Sequence, residues 1–325
     1  MTEHNFCNPD DDLPYCKPHG TCDHKFYPNI LHKRETYQWK PNDCDLLKWN
    51  ASLFCSLLGD RKLLLIGDST MQQSALTLTA MINYWYAENV KATNMWCANQ
   101  VIFRLSDFLV ASKTQFILGA THFHNNAEIE RGKPFREYFR EIAPDIVVFS
   151  SGAHLWELHV FHRMVEVLVQ EVKSAVAERH EMVNSADHSP QYAGDEQKRN
   201  LSHRDHDVAF VWKTQNPGHP GRLSALGPEL AMSVDDAMQH LALTHRADDE
   251  FHWNPLPSFD HSVKVLIKDS PIIYMDMSPL YLRPDGHHGS DRHYADCLHY
   301  CLPGPLDLFS VQLLHVLKHG GFHIS

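Results

Sequence analysis

Four short, unbroken apolar runs constrain the fold of this chain more than any other feature. They are Lys62-Leu63-Leu64-Leu65-Ile66, Asp145-Ile146-Val147-Val148-Phe149, Val208-Ala209-Phe210-Val211-Trp212 and Pro271-Ile272-Ile273-Tyr274-Met275. A run of this length without polar alternation suits a strand buried on both faces. Between the runs the period changes. Met71, Ala75, Leu78 and Met81-Ile82 recur at helical spacing through about Tyr86, and a second helix is predicted over 155–178, with Leu158, Phe161, Val165, Leu168 and Val172 on one face. A last helix is predicted over 307–318, carrying Leu308, Val311, Leu314 and Leu317. Strands alternating with helices predict an α/β domain with a mainly parallel sheet and helices on both faces. Ligands of such sheets bind beyond the carboxyl ends of the strands. Ser69, Ser151-Gly152, the 215–219 segment and the 276–279 turn fall at those ends.

The rest of the chain is organised around this body. Residues 1–60 are rich in Cys, Pro, Asn and Asp and read as an irregular lead-in, followed by the α/β domain over 61–325. Residues 180–205 lack periodicity and read as a polar surface insertion. A net charge of −11 argues against holding nucleic acid phosphates. No apolar run approaches the roughly 18–20 residues that cross a bilayer. Five of the eight cysteines lie in the first 55 residues, where little apolar content is available to build a core. That pattern predicts a disulfide framework in an oxidising compartment, with structural zinc and free cytosolic thiols as the alternatives. The sequons at Asn50 and Asn200 are compatible with a secreted glycoprotein.

Two short motifs carry candidate chemistry. Gly67-Asp68-Ser69 ends the first run and opens a helix, which sets a hydroxyl on a tight turn beside backbone N–H groups suited to an anion. The same residues would equally suit Ser69 as a simple helix cap. Near the other end stands Asp296-Cys297-Leu298-His299. A serine nucleophile needs a base, and the base needs a carboxylate on its other ring nitrogen. Asp296 and His299, three residues apart on one cysteine-flanked loop, could supply both.

Together these motifs resemble the SGNH (GDSL-type) acyl esterases. The likeness sharpens to the PC-esterase branch, the trichome-birefringence-like polysaccharide O-acetyltransferases. Their lead-in W-K-P-x-x-C-D-L is matched by Trp39-Lys40-Pro41-Asn42-Asp43-Cys44-Asp45-Leu46. Their R-x-D-G-H is matched by Arg283-Pro284-Asp285-Gly286-His287, and D-C-x-H-W-C-L-P-G by the stretch Asp296-Cys297-Leu298-His299-Tyr300-Cys301-Leu302-Pro303-Gly304. Lys213-Thr214-Gln215-Asn216-Pro217-Gly218-His219 is similar to R-T-x-S-P-x-H. The resemblance implies a three-layer α/β/α SGNH-hydrolase-like domain. It implies Ser69 as nucleophile, His299 as base and Asp296 as its orienting carboxylate. The Ser69 and Gly152 N–H groups are the implied oxyanion donors, and His154, His219, Asp285 and His287 are candidate substrate-binding residues.

Departures from the pattern leave the triad itself intact, and one of them, Phe309-Ser310 where W-N is usual, lies beyond it. Thr70-Met71-Gln72-Gln73-Ser74 stands where L-x-R-N-Q is usual after G-D-S, Ser150 replaces the Asn of N-T-G, and Tyr300 replaces a Trp. The histidine-rich group at His287, His288, Asp291 and His293 lacks metallohydrolase spacing, so no metal site is expected. The expected reaction transfers O-acetyl groups to polysaccharide or glycan hydroxyls through an acyl-serine. Hydrolysis by the same triad, an acetylesterase, is the alternative, and a sugar-binding protein on an inactive scaffold is disfavoured by the complete triad. No bound cofactor is expected. An acetyl donor, acetyl-CoA or another, would be co-substrate for transfer. The chain is expected to be a monomer of the secretory pathway, in the Golgi lumen or outside the cell, any signal or anchor being absent from this sequence.

Overall fold

All four apolar runs become strands, and a fifth strand joins them. The structure, a computed structural model, describes residues 45–89, 97–110, 132–187, 208–219, 232–243, 253–287, 298–300 and 304–319. The strands are β1 (Leu63–Gly67), β2 (Val101–Leu105), β3 (Ile146–Ser150), β4 (Ala209–Lys213) and β5 (Ile272–Met275). They pair in parallel in the order β2-β1-β3-β4-β5. The three central strands are buried at every position, as their unbroken apolar sequences require. The unforeseen strand, β2, lies at the edge and is only half-buried, so Val101-Ile102-Phe103-Arg104-Leu105 carries no clear buried-strand signal. Its Arg104 places a charge on that edge, a common guard against pairing with another chain.

Successive side chains of each strand point to opposite faces, and helices cover both. Leu64, Ile66, Val147, Phe149, Phe210 and Trp212 share one core with α3 (Phe135–Ile142), α4 (Leu158–Asp187) and α6 (Leu256–Leu266). Here Phe135 meets Phe149 edge-on at 5.0 Å, and Phe161 stacks on Phe259 at 4.2 Å. Leu63, Leu65, Ile146, Val148 and Val211 face the other core, with α1 (Ala51–Leu58), α2 (Ser69–Asn89) and α7 (Asp307–His319). The three-layer α/β/α architecture is therefore present. A further helix, α5 (Val234–Leu243), packs on the short 3-10 turn Ser278–Leu282 through Ala237, Leu241 and Tyr281.

Several local expectations change. α4 continues to Asp187, into the stretch read as a polar insertion, while 188–207 lie outside the described residues. Leu158 was expected on the buried face, but it opens the first turn of α4 and is 43% exposed. Of the lead-in, residues 1–44 lie outside the described residues. Its end is the helix α1, capped by Asn50, whose Oδ1 accepts the Leu53 N–H at 2.9 Å. The Asn50 sequon is thus also a helix cap, and Asn200 lies outside the described residues. Cys55 on α1 is disulfide-bonded to Cys97, just before β2, across a sequence separation of 42. Chain-entropy reasoning credits a crosslink closing such a loop with about 4 kcal/mol. The other six cysteines lie outside the described residues.

The sheet order locates the site. From β1 the chain passes to β2 on one side, then returns across β1 to β3 on the other. The crevice at such a switch point opens beyond the carboxyl ends of β1 and β3. Asp68-Ser69 and Ser151-Gly152 follow directly there.

Candidate active site

β1 ends in a glycine because β3 leaves no room for anything larger. Gly67 pairs with Ser150, and a Cβ added at Gly67 would lie 1.7 Å from the Ser150 carbonyl oxygen. Asp68, next in the chain, is wholly buried. Its carbonyl accepts the Gln72 N–H at 3.1 Å, and its Oδ1 accepts from the Thr70 N–H at 2.9 Å and the Thr70 hydroxyl at 2.7 Å. Asp68 is therefore the N-cap of α2. Ser69 becomes the first helical residue, its hydroxyl released from the capping role that the sequence also allowed. The second carboxylate oxygen of Asp68 reaches across to β3 and accepts the N–H groups of Gly152 and Ala153, each at 3.1 Å. Burial pushes the Asp68 carboxyl up, but the charge of His154 and the hydrogen bonds from Thr70 and Ala153 outweigh it and hold the group below the usual carboxylate range.

His299 meets this turn from the far end of the chain. Its Nε2 lies 2.9 Å from Ser69 Oγ, the geometry in which an imidazole can take the serine proton. His299 and its described neighbours Leu298 and Tyr300 lie outside the helices and strands, and side chains from elsewhere hold them. Gln73 lies one turn after Ser69 on α2, buried. Its Nε2 donates to the Tyr300 carbonyl at 2.9 Å, and its Oε1 accepts the Tyr300 N–H at 3.0 Å. One amide thus engages both backbone groups of the residue after His299. Tyr300 also forms an antiparallel bridge with His287 and donates its hydroxyl to the Leu280 carbonyl at 3.1 Å. Gln73 is one of the departures from the family pattern, and nothing in its local sequence signals this clamp.

The other expected site residues are placed variously. Gly152 stands at the carboxyl end of β3 as expected, but its N–H donates to Asp68 rather than standing open to an acyl oxygen. His154 is half-buried near Asp68. His219 and His287, expected to touch substrate, are 7% and 0% exposed and contact each other, with His219 Nδ1 2.6 Å from His287 Nε2. His219 also contacts the Tyr281 carbonyl, and His287 the His299 carbonyl. Asp285 lies in the short turn Pro284–Gly286, and its side chain, like all of Asp296, lies outside what the structure describes. Among the described residues, no group of three or more His, Cys, Asp or Glu is placed to hold a metal ion.

Two further polar residues support the site without having been singled out. Lys213 ends β4 fully buried, and its ammonium donates to the Asn216 side chain at 2.8 Å and the Thr214 carbonyl at 3.0 Å. Desolvation lowers it to about 8, against the opposing pull of Asp68 and Asp260. Asn216 in turn donates to the Thr70 carbonyl at 3.3 Å, so the end of β4 is tied to the first turn of α2. Asp260, on α6, accepts the Gln215 N–H at 3.0 Å and the Tyr281 hydroxyl at 3.1 Å. Gln215 donates to the Ser151 carbonyl at 2.7 Å, which carries this support to the Gly152 loop.

A serine at the switch point of a parallel sheet, with an imidazole on its hydroxyl, is the frame of a GDSL-type esterase. Residues 46–316 match the PC-Esterase family, described as a GDSL/SGNH-like acyl-esterase family found in Pmr5 and Cas1p. The chain belongs to the PC-esterase family. Among curated PC-esterase relatives, the chain is 22% identical to Protein YLS7 of Arabidopsis thaliana, with 87% of this chain and 62% of the relative covered. It is 22% identical to xyloglucan O-acetyltransferase 2 of the same plant, covering 87% and 72%, and 21% identical to xyloglucan O-acetyltransferase 4 of Populus trichocarpa, covering 87% and 71%. The chain thus spans between about three fifths and three quarters of these relatives' lengths.

Proposed function

We propose that this PC-esterase transfers O-acetyl groups to hydroxyls of a polysaccharide or glycan through an acyl-Ser69 intermediate. The observation that carries the reading is the 2.9 Å contact between Ser69 Oγ and His299 Nε2. The names of the relatives, xyloglucan O-acetyltransferases among them, support polysaccharide as the substrate class.

Ser69 Oγ attacks the carbonyl of the acetyl donor while its proton passes to His299 Nε2. The Ser69 N–H, at the amino end of α2, is the oxyanion donor assigned here, since Asp68 holds the Gly152 N–H. Collapse of the tetrahedral intermediate expels the donor's leaving group, which takes the proton from His299. A sugar hydroxyl then gives its proton to His299 and attacks the acetyl-serine, and the released Ser69 Oγ recovers that proton. Asp296, by its spacing from His299, is the carboxylate that orients the imidazole. Acetyl-CoA or another acyl donor is the co-substrate. Substitution of water for the sugar gives acetylesterase activity with the same residues. The cysteine-rich lead-in and the relatives' substrates support a secretory-pathway location, in the Golgi or outside the cell; among the described residues no helix is long and apolar enough to cross a membrane.

Ser69→Ala tests the reading. It should lower turnover of p-nitrophenyl acetate by roughly 10⁴-fold or more, with unchanged circular dichroism. Undiminished turnover in a folded variant would sink it. Mass spectrometry of xylan and xyloglucan oligomers separates transfer from hydrolysis: acetyl gained in the presence of a donor marks the first, acetyl lost from acetylated oligomers the second.

A further inference from the structure

His219 and His287 form a buried pair that the proposed reaction does not consume. His219 lies in the segment after β4, with its Nε2 3.0 Å from the Tyr281 carbonyl oxygen. His287 follows the turn Pro284–Gly286, with its Nδ1 3.2 Å from the His299 carbonyl oxygen. Between the rings, His219 Nδ1 and His287 Nε2 are 2.6 Å apart.

These contacts dictate a proton count. A carbonyl oxygen only accepts, so each outer contact requires an N–H, one on His219 Nε2 and one on His287 Nδ1. The central contact joins two nitrogens, and two lone pairs facing at that distance would repel, so one of them carries a third proton. Two neutral imidazoles hold one proton each, two in all. Three N–H groups therefore leave the pair with one proton in excess and one positive charge. The Tyr300 ring lies 4.2 Å from the His287 ring at an interplanar angle of 38°, within the range at which an aromatic face stabilises a cation. The titratable groups described against the pair are Tyr281, whose hydroxyl is on Asp260, together with Tyr300 and His299 itself.

The geometry points to His219 and His287 as positioning residues: sharing one excess proton, they fix the backbone of His299 by a charge-assisted hydrogen bond and so keep its Nε2 aimed at Ser69. A hydrogen bond from an ionised donor is about twice as strong as a neutral one. The inference rests on the reading of His299 as the base. It adds the device that holds the base in place, on the side of the loop opposite the Gln73 clamp on Tyr300.

The proton count can be read directly on the full chain labelled with ¹⁵N-histidine, the signals being assigned from His219→Gln and His287→Asn spectra. Three ring N–H protons are expected on the pair; two would overturn the inference without touching the role of Ser69. Kinetics give a second readout. His287→Leu should lower kcat by about 10- to 100-fold with KM unchanged, since the base is misaimed while the substrate's contacts stay. His287→Asn, whose Nδ2 can stand near the imidazole Nδ1 and donate to the His299 carbonyl, should recover most of that loss. Full kcat in the leucine variant, or a loss carried entirely by KM, would overturn the positioning role. Activity retained in Ser69→Ala would instead sink the reading of the site and leave the proton count standing. If the leucine variant does not fold, the count in the unmodified protein decides.

Discussion

Ser69 and His299 meet at 2.9 Å, yet they are held there by different means. The Ser69 turn is built from neighbours in sequence and braced by β3 and the residues after it. A buried strand ends at a glycine that packs against β3, and Asp68 caps the helix that Ser69 begins. His299 lies outside the helices and strands, 230 residues from Ser69 along the chain, and its neighbour Tyr300 is pinned by Gln73 at a separation of 227. A side chain on a strand-to-helix turn inherits its position from regular hydrogen bonding. One outside helix and strand has to be given a position by packing.

The contrast makes different substitutions costly at the two ends. The largest effect is expected at Asp68. In Asp68→Asn, keeping the oxygen on Thr70 turns the amide nitrogen toward the Gly152 and Ala153 N–H groups, donor against donor. Two buried donors left unpaired cost about 1–3 kcal/mol each, so urea unfolding should show a loss of about 2–6 kcal/mol together with loss of turnover. Unchanged stability would mean that the turn does not depend on the bonds from Asp68 to the residues after β3. At the other end, Gln73→Leu removes the clamp on Tyr300 and should lower kcat by about 10- to 100-fold. Steady-state kinetics showing full kcat would mean that other contacts suffice to hold the base loop.

The smallest effect should come from Asp260, which lies between the two ends, bonded to Gln215 on one side and Tyr281 on the other. Burial pushes its carboxyl up to about 7, against the opposing hydrogen bonds from Gln215 and Tyr281 and the charge of Lys213, with Asp276 adding to the rise. The folded protein therefore keeps this proton between about pH 4, where an unfolded aspartate loses it, and about pH 7. Stability falls as pH rises through that window and is level above it. Asp260→Asn should flatten this part of the curve in thermal melts taken from pH 4 to 8. An unaltered slope would show that Asp260 titrates normally.

How much of this was legible depended on whether the signal was local. β1, β3, β4 and β5 were readable because each is an unbroken apolar run, and G-D-S and D-x-x-H because each motif is contiguous. The edge strand β2 was missed because a half-buried strand carrying Arg104 lacks either periodic pattern. The short helix Phe135–Ile142 was missed as well, although it buries Phe135, Tyr138, Phe139 and Ile142 along one side. Gly152, chosen from a family motif, is where that motif put it. Only the cross-strand reach of Asp68 reveals that its N–H is already engaged.

The sequence by itself determined the class of the fold and the setting of Ser69, because burial on both faces and capping are written in adjacent residues. Of the eight cysteines it predicted a disulfide framework, and among the described residues one disulfide, Cys55–Cys97, is present. Tertiary structure alone decided how His299 is held. Gln73, His219 and the pair His287 and Tyr300 lie far apart along the chain and carry no shared local pattern. Their meaning comes from hydrogen bonds that exist only once the sheet has brought α2, the end of β4 and the C-terminal loop together.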